Sequence, residues 1–237
     1  MTRRRWIADE ISGNRAILTG EHADHLMRVL RARVGQEFDI ATESSVRHGR
    51  ILSIAEGRVE FELGEVIVTH SSFNLSLLLA VFKFDRMEWA IEKCTELGVL
   101  RIIPVIARRT DAHLATAAAK RADRWRRIAL QAAEQSRRPV PPEIGAPIKL
   151  KEAVLTSAAT RIVLAETERK VLLHDLLSTP SRDHEVLLAI GPEGGWTGEE
   201  LDLFRNSGWT AASLGPTILR AETAAIAATA IAVSALS

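Results

Sequence analysis

The chain has 237 residues, 46% of them hydrophobic and 26% charged, with a formal net charge of +1 at neutral pH. This is the composition of a soluble globular protein, long enough for one large domain or two small ones. One cysteine, Cys94, excludes an internal disulfide framework and suits a reducing cytosol.

The basic start, Met1-Thr2-Arg3-Arg4-Arg5-Trp6, has no apolar segment behind it and does not read as a signal peptide. From Trp6 to about Val68, short apolar-alternating runs recur: Ala16–Leu18, Phe38–Ile40, Gly49–Ile54 and Val59–Leu63. Turn residues at Gly13-Asn14, Gly35 and Gly57 break them, a pattern that predicts a small barrel. Glu21 to Leu30 has helical spacing. His22 and His25 form an H-x-x-H there with Asp24 beside them, but a metal site needs more ligands and no matching cluster exists elsewhere. No metal is expected. Arg28, Arg31 and Arg33 make either a phosphate-contacting strip or a solvated face, and Thr69–Ser72 reads as a linker.

Leu75 to Phe82 is an apolar strand of the kind found in parallel sheets covered on both faces. Lys83-Phe84-Asp85 turns the chain into a helix from Arg86, with Met87, Ala90, Ile91, Cys94 and Leu97 at helical spacing and Gly98 as its stop. Cys94 falls on that stripe and reads as a core filler. Ile102–Ile106 is the next strand. Ala122–Gln135 is a basic helix with Trp125, Ile128, Ala129 and Ala132 as its buried stripe, ended by the prolines after Arg137-Arg138. Between Arg101 and Arg138, ten basic residues face only Asp111, Asp123 and Glu134. That excess forms either a polyanion-binding face or a solvated helix surface. Leu150–Leu155 reads as a short helix, and Arg161–Ala165 as a strand ending in Glu166-Thr167. The alternation of strands and helices predicts an α/β sheet.

The most informative stretch runs from Leu187 to Thr223. A buried strand, Glu185–Ile190, enters the loop Gly191-Pro192-Glu193-Gly194-Gly195, and Thr197 with Glu200 forms a capping-box pattern at the next helix. A second unit repeats the outline: strand Thr210–Ser213, loop Leu214–Leu219, helix from Arg220. With Glu166-Thr167, three loops are expected at the carboxyl edge of one sheet, where open α/β folds bind ligands. The glycine loop is either an ordinary turn or a ligand loop. It is neither G-x-G-x-x-G nor a P-loop, and Glu193 sits where a pyrophosphate cradle would avoid an acid, so a neutral or cationic ligand suits it. The alanine-rich segment from Ala224 to Leu236 is shorter than the ~20 residues of a membrane span and reads as a buried helix.

The motifs Phe84-Asp85-Arg86-Met87-Glu88-Trp89, Glu92–Val99, Ala132–Arg138, Val163–Glu166, Gly191–Gly195, Leu214-Gly215-Pro216 and Leu219–Ala224, in this order, closely resemble the RsmE family. Its members are bacterial 16S ribosomal RNA uridine N3-methyltransferases of the SPOUT class. His25–Arg31 and Val34-Gly35 are similar to that family's N-terminal RNA-binding domain. The resemblance implies a PUA-like β-barrel over residues 1–70 and, over 73–237, an α/β SPOUT domain with a trefoil knot. It also implies a cytoplasmic homodimer with the active site at the subunit interface, S-adenosylmethionine as cofactor, and the small ribosomal subunit's RNA as substrate.

Carried over by motif, the cofactor pocket takes Leu164, Ala165 and Glu166, then Gly191, Pro192, Glu193 and Gly194, then Leu214, Gly215, Leu219 and Thr223. For the implied reaction, Arg220 is the candidate that stabilises charge developing on the uracil, with Glu222 orienting it or a nearby donor. The alternative is a helix-start ion pair between these two. Arg28, Arg31, Arg109, Arg124, Arg127 and Arg138 are the candidate RNA contacts. Thr217 stands where family members usually carry arginine, Ala221 where threonine is usual, and Arg137 where glycine is common. Two alternatives stay open: a SPOUT enzyme for another RNA site such as transfer RNA, or a silent RNA-binding ribosome-assembly factor, which Thr217 keeps open.

Overall fold

The computed structural model describes residues 5–42, 45–55, 57–68, 74–136, 138, 140–178 and 185–236. The basic start at Met1–Arg4, the expected linker Thr69–Ser72 and Arg137 lie outside them. The chain separates into two compact units, one of residues 1–72 with 133–141, the other of 73–132 with 142–237.

The first unit holds β1 (Arg5–Ile7), β2 (Glu10–Ser12), β3 (Arg15–Thr19), α1 (Gly20–Asp24), β4 (Glu37–Ala41), β5 (Val46–Ala55) and β6 (Arg58–Val68). Their order in the sheet is β1-β4-β5-β6-β3-β2, antiparallel except for β1 beside β4. Period-two alternation sends Val59, Phe61 and Leu63 inward to meet Trp6, Leu18, Leu26 and Ile40. The helix expected over Glu21–Leu30 is present, but its second half, His25–Val29, is a π-helical turn closed by Leu30 N–H donating to His25 O at 3.1 Å. The wider turn keeps Leu26 buried, and Arg31, at φ +49°, reverses the chain after it.

The two histidines of the H-x-x-H part company. His22 Nε2 lies 2.6 Å from Glu134 Oε1 and its Nδ1 lies 3.7 Å from Asp9 Oδ1, whereas the His25 ring packs 5.5 Å from Trp6. Among the described residues no group of three or more His, Cys, Asp or Glu is placed to hold a metal.

The second unit holds β7 (Asn74–Ala80), α2 (Phe84–Leu97), β8 (Arg101–Ile106), α3 (Ala112–Gln135), β9 (Glu143–Ile144), β10 (Ile148–Lys149), α4 (Leu150–Ala153), β11 (Thr160–Leu164), α5 (Leu173–Leu177), β12 (Glu185–Ile190), α6 (Gly198–Asn206), β13 (Thr210–Ala212) and α7 (Ala221–Leu236); the last residues of α3 belong with the first unit. The sheet runs β10-β8-β7-β12-β11-β13, with β9 also on β8, and every pairing is parallel. Successive side chains of β7 serve opposite layers. Leu75, Leu77 and Leu79 pack with Met87, Ile91, Trp125 and the α7 alanines. Leu78 and Ala80 pack with Ile103, Leu150, Phe204 and Trp209. Both faces are therefore covered, which is why these strands read as unbroken apolar runs.

Cys94 is fully buried on α2, its thiol pushed up to about 12 by that burial, and Thr229 of α7 donates to it at 3.4 Å. It fills space, as expected. Helix α3 starts at Ala112 rather than near Ala122, because Leu114 and Ala118 extend the buried stripe through a run of alanines.

Thr197 caps α6 and completes the capping box: its Oγ1 accepts from Glu200 N–H at 3.2 Å, and Glu200 Oε2 accepts from Thr197 N–H at 2.8 Å. The other Glu200 oxygen accepts from Arg108 N–H at 2.7 Å. One buried carboxylate thus ties the loop after β8 to the loop after β12.

Two outcomes follow from these contacts. Replacing Glu200 with Ala removes a cap and orphans the Arg108 N–H, and should cost about 2–3 kcal/mol in urea unfolding. His22 has its pKa raised above 6.5, chiefly by the hydrogen bond it donates to Glu134 and against its own burial. A raised folded value means that this pair stabilises the first unit fully below the unfolded pKa and stops doing so as pH rises through the folded one. His22→Gln should accordingly be less stable than the native chain at about pH 5.5, with the gap narrowing by about pH 8.5; a gap that widens with pH would contradict the pairing.

Candidate functional site

Strands β12, β11 and β13 are neighbours in that order and all parallel. Their carboxyl ends therefore open on one edge, and three loops rise from it. The first and third loops are bonded together. Ala165 N–H donates to Ala212 O at 2.9 Å, Ser213 N–H donates to Val171 O at 2.9 Å, and Leu173 N–H donates to Ser213 O at 2.9 Å. The end of β13 thus lies between the outgoing and returning limbs of the loop that leaves β11.

The loops enclose a cavity of about 370 Å³, within the range of small-ligand pockets. Leu164, Ala165 and Glu166 line it from the first loop, Gly191, Pro192, Glu193 and Gly194 from the second, and Leu214, Gly215 and Leu219 from the third. Of the expected cofactor residues only Thr223 stands apart, exposed on the first turn of α7. The floor is apolar and buried, made by Ile190, Trp196, Ala212 and Ala221. The rim is polar, with the exposed carboxylates of Glu166 and Glu193. Trp196 Nε1 is buried on the floor with no hydrogen-bond partner among the described residues.

Glycine suits this loop for two separate reasons. Gly195 has φ +67°, a left-handed backbone, and a Cβ there would come within 3.5 Å of Glu166 Oε1. At Gly194 a Cβ would sit 3.1 Å from Arg109 Cδ. Arg109, on the loop after β8, crosses this space and donates from Nη1 to Gly194 O. Glu193 Oε1 accepts from Lys83 N–H at 3.3 Å, which ties the same loop to the start of α2. Such a pocket offers main-chain donors and acceptors, flat apolar surface and two carboxylates. It fits a ligand with an aromatic ring and a cationic centre.

The catalytic candidates lie beside this lining. Arg220 is exposed at the end of the third loop; its carbonyl accepts from Ala224 N–H at 2.8 Å to start α7, and its guanidinium has no ion pair among the described residues. Glu222 is buried, with Oε1 3.5 Å from Arg86 Nη1 and Oε2 unpartnered among the described residues. The helix-start ion pair between Arg220 and Glu222 is therefore not formed: α7 packs against α2, and Arg86 of α2 takes the carboxylate.

The six candidate RNA contacts have different surroundings. Arg28 is exposed, 3.8 Å from Asp24, and Arg31 is exposed on its reversed turn. Arg124 is held by Glu88 through two bonds of 2.7 and 2.9 Å, while Arg127 is exposed without an ion pair among the described residues. Arg138 is half-buried, and burial pushes its pKa down to about 10. Arg109 lines the cavity. Sequence reasoning placed Arg109 with the RNA contacts and gave Arg86 and Trp196 no part in the site. The signal for Arg109 was present, because β8 ends at the same carboxyl edge as the three loop-bearing strands.

The model of an RNA methyltransferase domain matches residues 69–233. The ribosomal RNA small subunit methyltransferase E of Synechocystis is 32% identical, covering 87% of this chain and 69% of its own length. That of Aquifex aeolicus is 28% identical, covering 92% and 94%. Among solved structures, a putative methyltransferase from Legionella pneumophila in complex with S-adenosylmethionine superimposes with a TM-score of 0.82 at 29% identity, over 99% of this chain and 98% of that one. The Neisseria gonorrhoeae ribosomal RNA small subunit methyltransferase E bound to S-adenosylmethionine gives 0.81 at 29% identity, over 97% and 96%. With the three loops gathered on one cavity, these matches make the chain a member of the RNA methyltransferase family, in its ribosomal RNA small subunit methyltransferase E branch.

Proposed function

We propose that this protein is an S-adenosylmethionine-dependent methyltransferase that modifies N3 of one uridine in the 16S ribosomal RNA of the small subunit, acting in the cytoplasm as a homodimer. The observation that carries the proposal is the convergence of the Glu166, Glu193 and Leu214–Leu219 loops on a single cavity with an apolar floor and an acidic rim. Backbone groups suit adenine and ribose, and the carboxylates suit a sulfonium. The clasp of Ala212 by Ala165 and of Ser213 by Val171 and Leu173 supports a SPOUT knot, in which the last loop threads the first. In the first unit, Ala8 N–H donates to Ala41 O and Asp9 N–H to Ile17 O. Adjacent residues thus bond to opposite ends of the sheet, which supports a closed PUA-like barrel.

When bound, the cofactor supplies an electrophilic methyl group, and the chain's task is to hold a nucleophilic nitrogen in line with it. Orientation of this kind is worth up to ~7–11 kcal/mol. The base must leave its stack to reach the cavity. Arg220, beside the cavity and without an ion pair among the described residues, stabilises the charge left on the uracil. Glu222 acts at one remove: clamped by Arg86, it fixes the first turn of α7 and so the position of Arg220. Arg28, Arg31 and Arg127 hold neighbouring phosphates.

Labelled S-adenosylmethionine, purified protein and small-subunit RNA from a strain lacking the gene should yield one methylated uridine. A methyl on N3 blocks the Watson–Crick edge and maps as a primer-extension stop. Label in transfer RNA instead would assign another substrate, and absence of cofactor uptake by calorimetry would make the protein a silent binder.

Binding to the RNA should weaken with salt by a logarithmic slope of ~0.7 per phosphate neutralised on single strands. Arg127→Ala should flatten that slope more than Arg124→Ala, because Glu88 already occupies Arg124. Equal slopes for both variants and the native chain would remove α3 from the RNA face.

A further inference from the structure

Arg109 is the one cationic side chain among the described residues lining the cavity. It is exposed at the rim, and its stem passes so close to Gly194 that a Cβ there would sit 3.1 Å from its Cδ. A bond from Nη1 to Gly194 O fixes the guanidinium, and no carboxylate pairs with it among the described residues. A guanidinium has five donors, so most of those on Arg109 remain uncommitted. The nearby acids are not spent on it: Glu193 accepts from the Lys83 N–H, and Glu200 is occupied by the backbone of Arg108 and Thr197. A cation held open at the mouth of a pocket suited to a cationic ligand does nothing for that ligand's affinity. Its chemistry fits an anion formed beside the ligand.

We propose that Arg109 is a catalytic residue of the methyl transfer, donating hydrogen bonds to a carbonyl oxygen of the target uracil as negative charge builds there. The inference rests on the function proposed above. In the step, the uracil N3–H bond breaks and its proton passes to water. The electron pair left on N3 is shared with the O2 and O4 carbonyls until it forms the bond to the methyl carbon, and the carbon–sulfur pair returns to sulfur. A guanidinium fixed on one of those oxygens lowers the cost of the anion, and the main-chain bond to Gly194 pre-orients it. Arg109 would share with Arg220 the stabilisation of charge on the uracil, the first from the loop after β8 and the second from the end of the third loop.

The test compares Arg109→Gln and Arg109→Lys with the native protein in single-turnover transfer at saturating RNA, with donor affinity by calorimetry and rate measured against pH. Native turnover reports on the proposed function; the ratio of variant to native reports on Arg109. Arg109→Gln should lose about 10²-fold in rate, keep donor affinity within about 3-fold, and move its rate profile to higher pH, where the uracil ionises unaided. Arg109→Lys should recover part of the loss with a smaller shift. A donor affinity that falls in step with the rate would make Arg109 a brace for the Gly194 loop and overturn the proposal. So would a defect confined to RNA affinity and abolished at saturation, which is the mark of a phosphate contact.

Discussion

Ser213 is gripped through its backbone by Val171 and Leu173, one residue past the point where Ala165 holds Ala212. This clasp fixes the third loop against the first, and the cavity exists only while both are in place. Parallel pairing alone would align the strands but leave the loops free. With the clasp closed, the chain must turn at Leu214–Arg220 and re-enter the structure as α7, and its alanines allow that helix to lie against α2. Helix packing, pocket shape and the position of Arg220 all follow from a few main-chain bonds.

The second loop is secured by other means. Glu200 reaches out of its own capping box to the Arg108 N–H, and Lys83 N–H reaches Glu193. Both tethers join carboxyl-edge loops belonging to different strands. The first of them has a further effect: by fixing Arg108, it aims the next residue, Arg109, across Gly194. A buried carboxylate with all its bonds satisfied is stiffer than an exposed ion pair. The Arg108–Glu199 pair close by is largely exposed and adds little.

Local patterns were legible in the sequence wherever one stretch carried the whole signal. The capping box at Thr197 and Glu200, the apolar strands and the glycine loop needed only neighbours a few residues away. The early start of α3 was hidden because alanines give a weak periodic signal. The strands β1, β2, β9 and β10 are too short to show a period, and the π-helical turn at His25–Val29 has the same apolar spacing as an ordinary helix. Among the site residues, those carried by the three loops converge as expected, since adjacency of parallel strands dictates it. The pairing of Glu222 with Arg86 could not be read, because it depends on which helix α7 meets after the turn. The surroundings of the arginines were equally hidden: a tally of charge does not reveal that Glu88 already holds Arg124 or that Arg138 is half-buried.

The pocket's materials explain why such a site can be built from varied sequences. Its donors and acceptors are largely main chain, its floor needs only small or apolar side chains, and identity is demanding mainly where φ is positive or Arg109 passes. A cofactor bound in this way constrains the backbone more than the side chains. Under the proposed function the substrate side has the opposite economy: a flipped base and its phosphates would meet side chains, so specificity would rest on a few arginines and on which carboxylates leave them free. Thr217 and the exposed Ile218 line the cavity from the third loop, and neither brings a charge. Arg109 is the one cation among the described residues lining the cavity, and under the proposed function it and Arg220 would be the guanidiniums offered to a negatively charged pyrimidine.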